Sequence, residues 1–344
     1  MRISPKTPQR ILIIRTDRIG DVVLTTPILK TLKGHFPKVH LSFLCTPYTE
    51  KLVQNNPSIN EVIIYDKKWG FLKTFFFILK LRKKRFDVSI VFNPRLRFHL
   101  ISYLANIPIR IGYNKKGGYL LTHTLEDKKG EGKQSEAFYN EELLSFLNVP
   151  LLHSRNQYVP LREESERKVN LLLATFKVQP SYMVMNVSSS CPSRSWPLQN
   201  YASLCSLIYQ NLALPIVLIG KEKECQLVQK ITSAPVISLS ETLNLSELTI
   251  LLKKASLHIS TDTGPMHIAS AMGTPTIVIF GRNAIGVGPT RWAPLQGNNT
   301  ILQKDIGCNP CLAEQCKIDF DCLKATKVEE VFNAVSTYAP HFNC

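Results

Sequence analysis

No apolar run in this 344-residue sequence approaches the roughly 20 residues that a helix needs to cross a bilayer, so no membrane span is expected. The opening, residues 1–10, is basic and proline-bearing and leads straight into a short apolar run, so no signal peptide is expected either. Internal repeats and low-complexity tracts are lacking. Acidic residues are few: 26 Asp and Glu stand against 42 Lys and Arg, a formal charge of +16. Such an excess favours polyanionic surroundings, whether nucleic acid, nucleotide phosphates or an anionic lipid surface, and charge alone does not choose among them. Basic stripes interleaved with aromatics and recognised nucleic-acid-binding motifs are missing, so nucleic acid is not the expected partner.

What is present is an ordinary globular composition, with 44% hydrophobic and 20% charged residues. The length fits two domains of roughly 150 residues each. Of nine cysteines, four crowd into Cys308, Cys311, Cys316 and Cys322. Cys45, Cys205 and Cys225 sit inside apolar segments and read as reduced core residues, which favours a cytoplasmic location.

Short apolar runs alternate with helical patterns: 11–15 then 22–36, 39–45 then 48–55, 62–65 then 71–84, and 87–92 then 96–105. This β-α rhythm predicts parallel strands buried on both faces. Residues 125–133 read as a polar loop, 135–147 again have helical spacing, and 159–164 look like a linker. The alternation restarts with strands at 182–187, 216–219, 236–239, 257–261 and 276–280, separated by helices at 198–212, 224–231, 245–255 and 265–272. The expected fold is therefore α/β: two Rossmann-like doubly wound domains, residues 1–162 and 163–344, facing a cleft that holds the active site.

Three segments can carry chemistry. In Arg15-Thr16-Asp17-Arg18-Ile19-Gly20-Asp21, Gly20 permits a tight turn, and Asp21 is either a helix cap or a general base. In the second, residues 186–197, consecutive hydroxyls including Ser189 and Ser190, together with Arg194, suit a phosphate at a helix N-terminus. In the third, residues 260–267, Gly264 and Pro265 open a helix whose N–H groups can hold an anion; Asp262 suits sugar hydroxyls. The blander reading makes Asp262 or Thr263 a cap and His267 a core residue.

Together these segments resemble glycosyltransferase family 9, the heptosyltransferase family of lipopolysaccharide core assembly. Gly20-Asp21-Val22-Val23-Leu24-Thr25-Thr26-Pro27 matches its opening pattern, and Asp262-Thr263-Gly264-Pro265-Met266-His267 its later signature. The resemblance spans nearly the whole chain. It implies a GT-B architecture whose first domain, with Arg15, Asp17, Arg18 and Gly20 near the acceptor, supplies Asp21 as catalytic base. The second domain would bind the donor: Ser189, Ser190 and Arg194 on its phosphates, Glu224 on the ribose, and Leu243 on the base. Asp262, Thr263 and Gly264, with His267 beside them, would hold the donor sugar and diphosphate. The implied reaction is inverting and needs no metal or other cofactor. Its donor is a nucleotide-diphosphate sugar, ADP-heptose in this family, and its acceptor a membrane-anchored glycolipid on the inner face of the membrane.

Two features depart from the family pattern. Arg194 stands where Lys is usual, and residues 282–292 replace a loop rich in Pro and Thr. The cysteine segment has a spacing that suits a structural zinc, an iron–sulfur cluster, or paired or free thiols. The helical pattern at 71–84 reads mostly as core packing, with a basic end, Arg82 to Arg85, available to anionic lipid. An epimerase or a catalytically silent nucleotide-sugar-binding protein is the alternative class.

Overall fold

The structure, a computed structural model, describes residues 7–308 and 310–342. Residues 1–6 of the basic opening lie outside that range. The chain divides between Pro160 and Leu161 into two compact units, each described here in turn.

The first unit runs β1 (Arg10–Ile14), α1 (Ile19–Val23), α2 (Thr26–His35), β2 (His40–Cys45), β3 (Glu61–Ile64), α3 (Phe71–Lys83), β4 (Val88–Val91), α4 (Leu96–Leu104), β5 (Ile109–Tyr113), β6 (His123–Leu125) and α5 (Glu136–Glu142). Its six strands are parallel in the order β3-β2-β1-β4-β5-β6. Ile11, Leu12, Ile13 and Ile14 are fully buried, as a central strand covered on both faces requires. The strand order reverses between β1 and β4, and in such sheets that switch point is where ligands bind, beyond the carboxyl ends of the strands.

The second unit continues with α6 (Glu163–Thr175), β7 (Met183–Asn186), α7 (Leu198–Leu212), β8 (Ile216–Ile219), α8 (Glu222–Ile231), β9 (Val236–Ser238), α9 (Leu245–Lys254), β10 (Leu257–Thr261), α10 (Gly264–Met272), β11 (Thr276–Phe280), α11 (Pro289–Trp292), β12 (Asn299–Gln303), α12 (Asp321–Ala325) and α13 (Val328–Ser336). Its six parallel strands follow the order β12-β11-β10-β7-β8-β9, with the reversal between β7 and β10. Met183, Met185, Leu257 and Ile259 pack with Trp196, Tyr201 and Val331 into the main core of this unit.

The structure departs from the expectations in several places. The single helix expected over 22–36 is two, α1 and α2, because Pro27 in the first turn of α2 cannot donate a hydrogen bond backwards. Thr25 and Thr26 hydroxyls donate instead to the carbonyls of Asp21 and Val23, both at 2.7 Å. Residues 48–55 form only a short 3-10 turn, Glu50–Leu52, ended by left-handed Asn55 (φ 72°). The supposed linker at 159–164 already contains the start of α6, whose first turn carries Glu163, Glu164 and Glu166, the charge that a helix N-terminus favours. Strands β5, β6 and β12, too short or too polar to stand out, complete the two sheets. The apolar face of α3 is mostly uncovered: only Phe77, Ile78 and Leu81 are buried, because the helix touches its sheet along a narrow stripe.

Candidate active site

In the first unit the chain leaves β1 at the switch point carrying Arg15, which is buried within a set of carboxylates. Arg15 Nη2 lies 2.6 Å from Asp21 Oδ1 and 3.0 Å from Glu136 Oε1, and its Nη1 donates to the Phe92 carbonyl at 3.1 Å. Arg15 Nε is 3.7 Å from Asp17 Oδ2. Burial alone would lower the Arg15 pKa, but the three carboxylates outweigh it and fix the positive charge. Burial also pushes the Asp17 carboxyl above its ordinary range; Arg15 opposes this and Asp21 adds to it. The amide of Asn93, just beyond β4, donates to Asp17.

Glu136, at the start of α5, is itself buried and receives a second cation: Lys129 Nζ donates to it at 2.6 Å and to Asn140 Oδ1 at 3.0 Å. Asn140 in turn donates to the Thr25 hydroxyl at 3.4 Å, tying α5 to the turn between α1 and α2. The segment read as a polar loop thus puts a buried lysine into the site.

Asp21 stands in the first turn of α1, and its Oδ2 accepts from the Arg18 N–H at 3.3 Å. It therefore has the capping contact of the bland reading, and its other oxygen is committed to Arg15. Gly20, expected in a tight turn, lies buried inside α1; the turn falls in residues 15–18, ahead of it. Arg18, at the N-cap of α1, is exposed.

The second unit presents its own cluster at the β7/β10 switch point. Asp262, after β10, is buried and its carboxylate pairs with Arg282, just beyond β11. Arg194 Nη1 donates to the Asp262 carbonyl at 3.2 Å, its Nη2 to Ser190 Oγ at 2.8 Å, and its Nε to Cys191 Sγ at 3.2 Å. Ser189 Oγ lies 2.8 Å from Ser195 Oγ and accepts from the Cys191 N–H at 3.2 Å. Asn186 bridges the two strand ends, donating to Thr263 Oγ1 at 2.8 Å and Ser260 Oγ at 3.4 Å.

Neither side chain expected as a cap performs that task. Thr263 occupies the N-cap of α10, but its hydroxyl faces Asn186 and Ser260, and Asp262 faces Arg282. A helix N-terminus that begins at Gly264, two guanidinium groups and an amide gather here, a set suited to a pyrophosphate. His267 is buried inside α10, its ring edge-on to Trp292 at 6.5 Å, which is the core placement.

Glu224 lies in the first turn of α8, with Oε1 3.8 Å from Lys221 Nζ. Its Oε2 is buried without a hydrogen-bond partner among the described residues, an acceptor suited to a ligand hydroxyl. Leu243 sits half-buried in the turn before α9, whose N-cap is Asn244. Gly220 (φ 136°) turns the chain between β8 and α8 against Ser188, whose hydroxyl accepts from the Lys221 N–H at 2.8 Å.

Cys308, Cys311, Cys316 and Cys322 line one cavity of about 180 Å³ together with Ile306, Leu312 and Phe320. Their thiols are free; Cys322 Sγ donates to the Gly281 carbonyl at 2.9 Å, and Cys316 Sγ accepts from the Phe320 N–H at 3.4 Å. Among the described residues no group of three or more His, Cys, Asp or Glu side chains is placed to hold a metal ion. The chain has one Asp-x-Asp triplet, Asp319-Phe320-Asp321, and both carboxylates pair with Lys324 Nζ, at 2.7 and 3.1 Å.

Glu136, Lys129 and Asn93 were not picked out by sequence pattern, and Asn186 and Arg282, which open the segments 186–197 and 282–292, were given no role of their own. A signal existed for Arg282 and Asn93: each stands one or two residues past the carboxyl end of a parallel strand, where ligand-binding side chains collect.

The sequence model of glycosyltransferase family 9 (heptosyltransferase) matches residues 75–320. The chain is 22% identical to the lipopolysaccharide core heptosyltransferase OpsX of Haemophilus influenzae, over 89% of this chain and 90% of that one. Among solved structures, it resembles a glycosyl transferase family 9 protein from Veillonella parvula, with a TM-score of 0.82, 21% identity and coverage of 96% and 97% of the two chains. It also resembles the ADP-heptose lps heptosyltransferase II of E. coli, with a TM-score of 0.79, 19% identity and coverage of 97% and 100%.

Proposed function

Because the chain belongs to glycosyltransferase family 9, the heptosyltransferase family, we propose that it transfers a heptose from ADP-heptose to a lipopolysaccharide core acceptor, with inversion and without a metal. In this reading residues 1–162 serve the acceptor and residues 163–344 the donor. Asp21 takes the proton of the acceptor hydroxyl as that oxygen forms its bond to the anomeric carbon. The bond from that carbon to the diphosphate oxygen breaks on the opposite side, and the electron pair leaves on the diphosphate.

The departing charge is met by Arg194 and by the N-terminus of α10, fixed groups that act where a metal would otherwise be needed. Ser189, Ser190, Thr263 and Gly264 line the phosphates, Glu224 binds the ribose, Leu243 borders the base, and Asp262 and His267 serve the sugar. Arg15, Asp17, Arg18 and Gly20 frame the acceptor side. The acceptor is a glycolipid on the inner face of the membrane, so the enzyme works in the cytoplasm at an anionic surface. The observation that carries the reading is Asp21 held by the buried Arg15, at the carboxyl end of the central strand β1.

The test is transfer from ADP-heptose to a core glycolipid, with NMR of the product's anomeric centre. Wild type should give the inverted linkage in the presence of a chelator. Asp21→Asn should bind ADP with unchanged affinity yet lose transfer by a factor on the order of 10² to 10⁴. Full activity in Asp21→Asn, or a free epimerised sugar nucleotide as the product, would exclude the proposal.

A further inference from the structure

α3 is attached to its sheet by Phe77, Ile78 and Leu81, which pack with Tyr65 and Trp69. Its other large apolar side chains face solvent. Phe71 is 82% exposed, Leu72 69% and Phe76 65%, with Phe75 and Leu79 also uncovered. Positions 71, 72, 75, 76 and 79 lie on one stripe of a helix, so these side chains form a continuous ridge rather than scattered contacts. The rings of Phe71 and Phe75 stack at 6.5 Å, and those of Phe75 and Phe76 meet edge-on at 5.9 Å. An apolar ridge of this kind on a well-seated helix costs solubility and marks an interaction site.

The charge on α3 has one sign, and Glu61, which lines a neighbouring cavity with Phe76 and Lys80, is paired with Lys84. No acidic residue occurs in α3, and Lys73, Lys80, Arg82 and Lys83 are exposed on it, with Arg85 just beyond. At its carboxyl end a cavity of about 930 Å³ is lined by Phe76, Leu79, Lys80, Arg82, Lys83 and Arg85. The one acid at that cavity, Asp87, is occupied by the N–H groups of Gln9 and Arg10, both at 2.8 Å. On α4 alongside, Leu96, Leu100 and Tyr103 are also exposed.

We infer that the exposed face of α3 is a docking surface for an anionic phospholipid bilayer. The aromatic ridge enters the boundary between headgroups and acyl chains, and Lys80, Arg82, Lys83 and Arg85 hold lipid phosphates in the adjoining cavity. Aromatic insertion with a basic border is what an interfacial helix requires. Charge complementarity selects this occupant over a second copy of the chain, since a two-fold interface through α3 would set the same basic side chains against one another. The inference deepens the proposed function by naming the surface that meets the membrane.

Co-sedimentation with phosphatidylcholine vesicles, with and without phosphatidylglycerol, tests it in the full chain. Wild type should bind the anionic vesicles in a salt-sensitive way and the neutral ones weakly. F71S/F75S/F76S and K80Q/R82Q/K83Q/R85Q should each lose binding by on the order of tenfold or more, with unchanged thermal transitions because every replaced side chain is exposed. Undiminished binding by either variant overturns the inference, as does equal binding to neutral vesicles. A concentration-dependent dimer in light scattering that the serine variant dissociates would assign the ridge to self-association instead. Transfer onto a delipidated core oligosaccharide should be equal in wild type and both variants. If wild type has no such activity, the proposed reaction fails while the vesicle result still decides the docking.

Discussion

Arg15 and Glu136 lie 121 positions apart in sequence, yet their side chains meet at 3.0 Å with only 1% of either exposed. Through that contact Glu136 offsets part of the charge of the guanidinium that also holds Asp21, and the same carboxylate accepts from Lys129. Two buried cations therefore depend on Glu136.

Removing that carboxylate takes from Arg15 one of its three carboxylates and from Lys129 its contact at 2.6 Å, in a buried setting. Glu136→Ala is expected to destabilise the first unit by about 3–5 kcal/mol, the usual outcome when one partner of a buried ion pair is deleted. Urea unfolding followed by tyrosine and tryptophan fluorescence measures it. A loss below about 1 kcal/mol would mean that the pairing contributes little to holding this site together.

Arg194 uses all three of its nitrogens on different partners, Cys191, Asp262 and Ser190, so its fork is fixed before a ligand arrives. Arg194→Ala should weaken ADP binding by roughly 10- to 100-fold, the value of hydrogen bonds to a charged group. Arg194→Lys restores charge without the fork and should recover only part of that loss. Titration calorimetry with ADP separates the cases; equal affinity in all three proteins would remove Arg194 from the donor site.

Gly220 has a backbone φ of 136°, and a Cβ built on it would lie 2.8 Å from the Ser188 Cβ. Gly220→Ala should therefore displace Ser188 from the Lys221 N–H and cost about 1–3 kcal/mol of stability. Because Ser188 precedes Ser189 and Ser190, ADP affinity should fall along with the melting temperature. A variant with both quantities unchanged would show that the loop adapts without effect on the donor cluster.

The sheets were legible because strands such as β1 and β10 are continuous apolar runs bounded by turns, and burial on both faces leaves that mark in sequence. The segments around Asp21, Arg194 and Asp262 were visible for a related reason: each follows a strand end, where residue types can be read in order along the chain. Glu136 and Lys129 were hidden. Lys129 sits in a stretch whose composition is that of a solvated loop, Glu136 at the start of the helical pattern that follows it, and neither pattern signals their approach to Arg15. The α3 ridge misled in the opposite direction, since apolar spacing reports a sticky face without saying what covers it. The break between α1 and α2 was in principle readable at Pro27.

His258, on the central strand β10, is fully buried, and its Nδ1 lies 3.1 Å from the Val184 carbonyl. Burial lowers its pKa from 6.5 to about 4, against a smaller opposing contribution from that carbonyl. The sign follows from proton counting. Above pH 6.5 neither the folded nor the unfolded chain protonates this ring, so its contribution to stability is complete. Between pH 6.5 and 4 the unfolded chain takes up a proton that the folded chain refuses, and stability falls as pH falls. At about 1.4 kcal/mol per unit, the loss across that window is on the order of 3 kcal/mol, and it levels off at lower pH. Other groups titrate in the same range, so the comparison is between wild type and His258→Asn, which shares all of them. The variant begins less stable, yet its unfolding free energy should decline less steeply from pH 7 to pH 4. Parallel curves would show that His258 is protonated in the folded protein near its ordinary pKa, and that the acid sensitivity of the second unit arises elsewhere.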